Sequence, residues 1–185
     1  IPFLRHHYQL PDGRWRAQLP WRELKNVKID GEPFPLLEDV LVWARETDAK
    51  LSLDVKTFFR TEGSLTKEVV RLLERTSTKD NVLFLYFDHQ ELLQTKLVHP
   101  ELTVRALLTG RIVDYAGYLR KINADGVSVS YGMLRPVDIE QIHSMGAAVA
   151  LIEYWDQHSE LFQQVDIDML SCGNPVEARK ILGHQ

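Results

Sequence analysis

From residue 50 onward the chain reads as one strand followed by one helix, six times in succession, and this order limits the fold more than any other feature. KLSLDVK sets Leu51, Leu53 and Val55 against Ser52, Asp54 and Lys56, the period of two that gives a strand one apolar face. NVLFLYF is a continuous apolar run of strand length, as expected where both faces are covered. ELTVRALLT, DGVSVSY, AAVALIEY and DMLSC supply four more strands. Between them lie helical stretches with recognisable ends. SLTKEVVRLLERTS opens at Ser64 or Thr66, and HQELLQTKLV begins after Asp88 with Glu91 three residues on, a capping-box spacing. VDYAGYLRKIN and DQHSELFQQV follow their strands, and PVDIEQIHSM has Pro136 in its first turn and Gly146 at its end. NPVEARKIL is capped by Asn174 with Pro175 at its first position. A further helix, LLEDVLVWARETDA, precedes the series with apolar residues at 36, 37, 40, 41 and 44.

Strict alternation of this kind predicts an α/β fold, a parallel sheet covered by helices. No glycine-rich dinucleotide loop or Walker loop follows any strand, which favours a TIM-type (β/α) barrel over a nucleotide-binding sheet. Six units leave such a barrel two short, so the expectation is an incomplete barrel preceded by an N-terminal segment. That segment starts with IPFLRH, read as a strand, and continues through an irregular stretch punctuated by Pro and Gly. Because the chain starts at Ile1, the expectation is a removed leader or a piece of something longer.

A net charge of −4 and a pI near 6.0 give no basic footprint for nucleic acid. No apolar run approaches the roughly 20 residues that span a bilayer. The single cysteine, Cys172, excludes an internal disulfide and leans the chain toward the cytoplasm while leaving the compartment open.

Reactive groups in a barrel sit at the C-terminal ends of strands, and here Asp54 and Lys56 stand out. One reading is an internal salt bridge filling the barrel centre. The other is a carboxylate that binds a hard cation and an ammonium that binds an anionic substrate group. His6 and His7 are a second candidate, of which at most one faces a pocket if the strand persists. His89, His143 and His158 fall on predicted helices and His99 and His184 in a loop and the tail, all expected to be solvent-exposed. SCGNP, a small-residue loop running into a helix, is a third candidate, for an anion. HExxH, HxH and a serine elbow are all absent, so zinc hydrolysis and acyl transfer lack support.

The order of these features resembles the glycerophosphodiester phosphodiesterases, a TIM-barrel family of metal-dependent enzymes. IPFLRHHYQL is similar to the family's P-x-x-x-H-D segment, PFPLLEDVLVWA to its next helix and LSLDVK to the strand ending E-x-K. VLFLYFD, HPELTVRALLTG, NADGVSVSYGML, SMGAAVALIEYW and IDMLSCGNP resemble the later segments in order, so the likeness spans nearly the whole chain. It implies a single domain, 1–185, with 1–34 as the insertion between the second strand and its helix and 35–185 as units three to eight. The resemblance implies that His6 is an acid–base catalyst, Asp54 a metal ligand and Lys56 a phosphate contact, with Trp155 at a substrate-binding position where asparagine is usual. Asp54 replaces the usual glutamate, His7 an aspartate, Ile152 a tryptophan and Gly173 the closing aspartate. The first histidine, a phosphate-binding arginine and two metal carboxylates of the family would all precede Ile1.

The implied reaction is hydrolysis of a small glycerophosphodiester to an alcohol and glycerol 3-phosphate, with Ca²⁺ or Mg²⁺ as cofactor. With part of the site outside this sequence, the 185-residue chain is expected to be inactive or very weak by itself. Two other readings stay open. One is a non-catalytic binding module of the same fold. The other is a different phosphate-binding barrel enzyme, an isomerase or lyase using Lys56, disfavoured because Asp54 would hold that lysine protonated. Strands LSLDVK and DMLSC would end an incomplete barrel with open edges, which predicts self-association.

Overall fold

The computed structural model describes residues 1–56, 63–152 and 166–181. The chain divides into two compact units, Ile1–Leu83 and Phe84–Gln185. No helix among the described residues is long and apolar enough to cross a membrane.

The first unit begins with irregular chain built on a small apolar cluster. Leu10, Leu24 and Phe34 are buried, with Phe3, Leu19, Trp21, Val27 and Ile29 packed against them. The ring of Phe3 sits 5.0 Å from Phe34 and 5.7 Å from Trp21, centroid to centroid. A short helix α1 (Trp21–Leu24) and a two-stranded hairpin, β1 (Lys28–Ile29) with β2 (Glu32–Pro33), follow. The hairpin turns on Asp30 and Gly31, both at positive φ, which Gly31 adopts without steric penalty. IPFLRH does not form the expected strand: Phe3 makes one isolated antiparallel bridge to Leu36, and Leu4 N–H donates to the Pro35 carbonyl. Freed from strand alternation, His6 and His7 turn their rings edge to face at 4.8 Å.

Helix α2 (Leu37–Thr47) buries Leu37, Leu41 and Ala44, as its apolar spacing predicts, and ends at Asp48 in the left-handed region. Strand β3 (Leu51–Val55) follows. Helix α3 (Ser64–Thr76) buries Val69, Val70, Leu72 and Leu73, each worth about 1.5–3 kcal/mol of transfer free energy. Its cap is Gly63 at φ 74°, neither of the expected hydroxyl side chains. Two long-range hydrogen bonds bind these elements: Arg45 Nη1 donates to the Thr76 carbonyl at 3.0 Å and Asn81 Nδ2 to the Ala49 carbonyl at 3.0 Å.

Strand β4 (Val82–Tyr86) falls on the boundary between the units. In the second unit it leads to α4 (His89–Val98), whose cap Asp88 accepts from the Gln90 and Glu91 amides at 3.1 Å, as the spacing predicts. Then come β5 (Thr103–Leu108), α5 (Tyr115–Ile122), β6 (Gly126–Val129), α6 (Pro136–Ser144), β7 (Ala148–Ile152), β8 (Met169–Ser171) and α7 (Pro175–Ile181). Strands β5 to β8 pair in parallel, with Arg105 beside Gly126, Gly126 beside Ala148 and Ala150 beside Met169. The strands β3 to β8 form one sheet in sequence order, the topology of a partial TIM-type barrel. The expected helix at 156–165 lies outside the described residues.

Polar residues fix the second unit from within. Lys96 is buried and donates to the Pro100 and Leu102 carbonyls and to both oxygens of Asp125, whose Oδ2 also takes the Val104 amide at 2.8 Å. Such a buried ammonium persists because every donor has an acceptor.

Candidate functional site

Three of the four site residues read from the sequence line one cavity in the first unit. It encloses about 580 Å³, and His6, Asp54 and Lys56 all border it. Apolar walls from Phe3, Leu19, Trp21 and Val69 surround these polar groups. Asp54 lies on β3 and Lys56 follows directly after its last residue, and the two side chains form an ion pair. The Lys56 side chain is 16% exposed and that of Asp54 31%, so the pair is only partly screened by solvent. Lys56 Nζ also lies 5.4 Å from the Tyr8 ring centroid, within cation–π range.

The cavity holds two arginines that the sequence did not single out, Arg5 and Arg16. The local fold explains their position. A turn at Asp12 and Gly13 brings the chain back on itself, so that Gln9 bridges Trp15 and the Arg16 amide donates to the Tyr8 carbonyl at 3.0 Å. Arg16 then lies with its Cζ 5.6 Å from the Phe3 ring and 5.9 Å from the Tyr8 ring. Tyr8 is therefore within reach of both Arg16 and Lys56. Burial, and then the charge of Arg5, lower the Arg16 pKa below its ordinary value, with Tyr8 acting in the opposite direction. Nε of Arg5 and Nε of Arg16 are both buried without a hydrogen-bond partner. No periodicity or motif marks either arginine, since both sit in irregular chain.

Other candidates resolve into structural roles. His89, expected in solvent, is half-buried between Tyr118 and β5: its Nδ1 accepts from the Tyr118 hydroxyl at 2.6 Å and its Nε2 donates to the Leu107 carbonyl at 3.1 Å. His143 pairs with Asp166 and Asp168. The SCGNP loop has its helix start occupied by Asn174, which accepts from the Glu177 amide at 3.2 Å. Trp155 lies outside the described residues.

The cavity fits an anion better than a hard cation. Among the described residues its lining carries three cationic side chains, Arg5, Arg16 and Lys56, against one carboxylate, and that carboxylate is bonded to Lys56. Among the described residues no group of three or more His, Cys, Asp or Glu side chains is placed to hold a metal ion. Ca²⁺ takes about six to eight oxygen ligands, so the described residues do not fit a divalent ion on their own.

No family model matches the chain. Among curated proteins it is similar to the uncharacterized protein YqiK of Bacillus subtilis, 27% identical over 154 residues that make up 70% of this chain and 63% of the relative. The chain thus spans less than two thirds of that relative's length. Among solved structures it is similar to an Oleispira antarctica phosphodiesterase in complex with the product sn-glycerol-3-phosphate, at 18% identity and a TM-score of 0.85, covering 99% of this chain and 80% of that one. A glycerophosphodiester phosphodiesterase from Parabacteroides distasonis gives 16% identity and a TM-score of 0.83 over 98% of this chain and 77% of that one. One from Agrobacterium tumefaciens gives 15% and 0.75 over 98% and 80%. At these identities the likeness is one of fold, and the protein has the fold of the glycerophosphodiester phosphodiesterases.

Proposed function

We propose that the protein is a phosphodiester hydrolase of the glycerophosphodiester phosphodiesterase type, releasing an alcohol and glycerol 3-phosphate from a small diester. The observation that carries this reading is the placement of His6, Asp54 and Lys56 on one cavity, at the end of β3, within that fold. The Oleispira neighbour, bound to sn-glycerol 3-phosphate, supports the same ligand chemistry here.

In this reading Lys56 holds a phosphoryl oxygen as a point charge, and Asp54 fixes the direction of the ammonium. Water adds to phosphorus as the bond to the leaving alcohol breaks. Water loses one proton and the alkoxide gains one, and His6 is placed to carry one of these transfers. For the Ca²⁺ or Mg²⁺ that the fold family implies, Asp54 is the one carboxylate on the described lining, too few ligands to hold the ion. With a lone carboxylate and a lone imidazole on the described lining, slow turnover by this chain is expected.

The same observation favours a second reading, a module that binds glycerol phosphates without cleaving them. The ion pair of Lys56 weighs against a Schiff-base enzyme, because its ammonium is already engaged by Asp54. Release of glycerol 3-phosphate from glycerophosphocholine, followed with a coupled dehydrogenase, tests the proposal. Slow release that His6→Asn and Lys56→Gln each reduce by about 100-fold or more supports hydrolysis. Equal release by wild type and variants sinks it, and binding of glycerol 3-phosphate without release establishes the second reading.

A further inference from the structure

Arg5 and Arg16 bring two guanidinium groups to the cavity that already holds Lys56, and among the described residues neither has a carboxylate within ion-pair distance. Half-buried charges of like sign without a counter-charge are unfavourable, and each group also leaves its Nε unpaired. Ordinary proteins neutralise such a pair with Asp or Glu. Here the one carboxylate on the lining among the described residues, Asp54, is bonded to Lys56 instead. The Tyr8 ring lies within 6 Å of both Arg16 and Lys56, and the charge of Arg5 acts on Arg16, which ties the three cations together. A guanidinium presents a planar fork suited to two oxygens of a phosphate, which makes arginine the natural partner for a tetrahedral oxyanion.

Resting on the hydrolase reading, we infer that Arg5 and Arg16 form an oxyanion clamp that selects the dianionic phosphomonoester over the monoanionic diester, so that the cavity retains its product. The phosphate of a diester carries one negative charge. That of a monoester carries close to two above its second pKa, near 6. Three cationic side chains against one carboxylate on the described lining favour the second form, so glycerol 3-phosphate binds more tightly than the diester it comes from and inhibits the reaction competitively.

Binding is measured by calorimetry with inorganic phosphate and with sn-glycerol 3-phosphate between pH 5.5 and 8, on wild type, Arg5→Gln/Arg16→Gln, Arg16→Lys and His6→Asn. The groups facing the clamp are His6, Tyr8, Asp54 and Lys56, and His6→Asn separates the contribution of the imidazole from that of the arginines. Wild type is expected to tighten about tenfold as phosphate becomes dianionic, and the double variant to lose that dependence and bind about tenfold or more weakly. Arg16→Lys is expected to keep the pH dependence with weaker binding. Without phosphate the double variant is expected to melt at or above the wild-type temperature, which excludes misfolding as the cause of lost binding. Equal phosphate affinity in wild type and the double variant, or a pH dependence that survives in the double variant, overturns the clamp. The two readings fail separately: clamp-dependent binding without diester cleavage removes the hydrolase and keeps the clamp, while cleavage with binding unaffected by the arginines does the reverse.

Discussion

Gly126→Ala is the sharpest test of how the second unit is put together. Gly126 opens β6 and lies in register with Ala148 of β7. A Cβ added there would stand 2.5 Å from the Ala148 carbonyl oxygen and 3.2 Å from the carbonyl carbon and amide nitrogen of the same residue. Carbon-to-oxygen contacts between strands ordinarily fall near 3.3–3.6 Å, so the two strands must part by about 1 Å. All three opposing atoms are backbone, held in a parallel ladder, and cannot move aside as a flexible side chain would. Overpacking of this kind costs about 1–3 kcal/mol, partly offset by the roughly 0.4–1 kcal/mol that alanine gains by restricting the unfolded chain. A net loss of about 1–2 kcal/mol lowers Tm by about 2–8 °C in a chain of this size. Thermal unfolding followed by circular dichroism reads this directly. Gly132→Ala is the control, since a Cβ there meets nothing within 4 Å, and it is expected to melt within about 1 °C of wild type. If Gly126→Ala melts with the control, the register of β6 on β7 is wrong.

Three further outcomes follow from the same structure. Burial holds the His89 pKa below its ordinary value, against the opposing pull of the Leu107 and Tyr86 carbonyls and Asp88. The fold therefore favours neutral His89, while the unfolded chain takes up a proton below about pH 6.5. Stability is full above that pH and falls as the pH drops from there toward the lowered folded value; urea titrations at pH 7.5 and 5.5 that do not differ between wild type and His89→Gln contradict it. Leu73, fully buried in α3, is expected to cost about 2–5 kcal/mol when changed to Ala, against about 0.5 kcal/mol or less for Glu68→Gln on the same helix, and equal urea midpoints for the two would refute the packing of α3. Strands β3 and β8 end the sheet order, and self-association through them is proposed on that ground; sedimentation velocity showing a single monomer across about 1–100 µM protein would rule it out.

The sheet was legible because its cause is local. Asp88, Pro136 and Asn174 mark helix starts by side-chain chemistry that needs no tertiary partner, and each does so in the structure. The period of two in KLSLDVK likewise groups Asp54 with Lys56, and the two form an ion pair at the end of β3. IPFLRH misled because an apolar run beside a proline has strand propensity, yet here it meets only one bridge partner and is held by Phe3 packing on Trp21 and Phe34. The burial of His89 has no local sequence signal, because the hydroxyl and carbonyl that enclose it lie 29 and 18 residues further along the chain. Arg5 and Arg16 left no mark for the same reason: what brings them together is a turn and a backbone hydrogen bond in irregular chain, where no repeat announces which side chains converge.

In the proposed reaction the cavity bordered by His6, Asp54 and Lys56 cleaves a glycerophosphodiester on the alcohol side of phosphorus. Phosphorus-31 NMR of glycerophosphocholine mixed with stoichiometric protein tests it most directly. Slow replacement of the diester resonance by that of glycerol 3-phosphate is expected in wild type and not in Lys56→Gln. A diester resonance unchanged in wild type, or its replacement by phosphocholine, would contradict it.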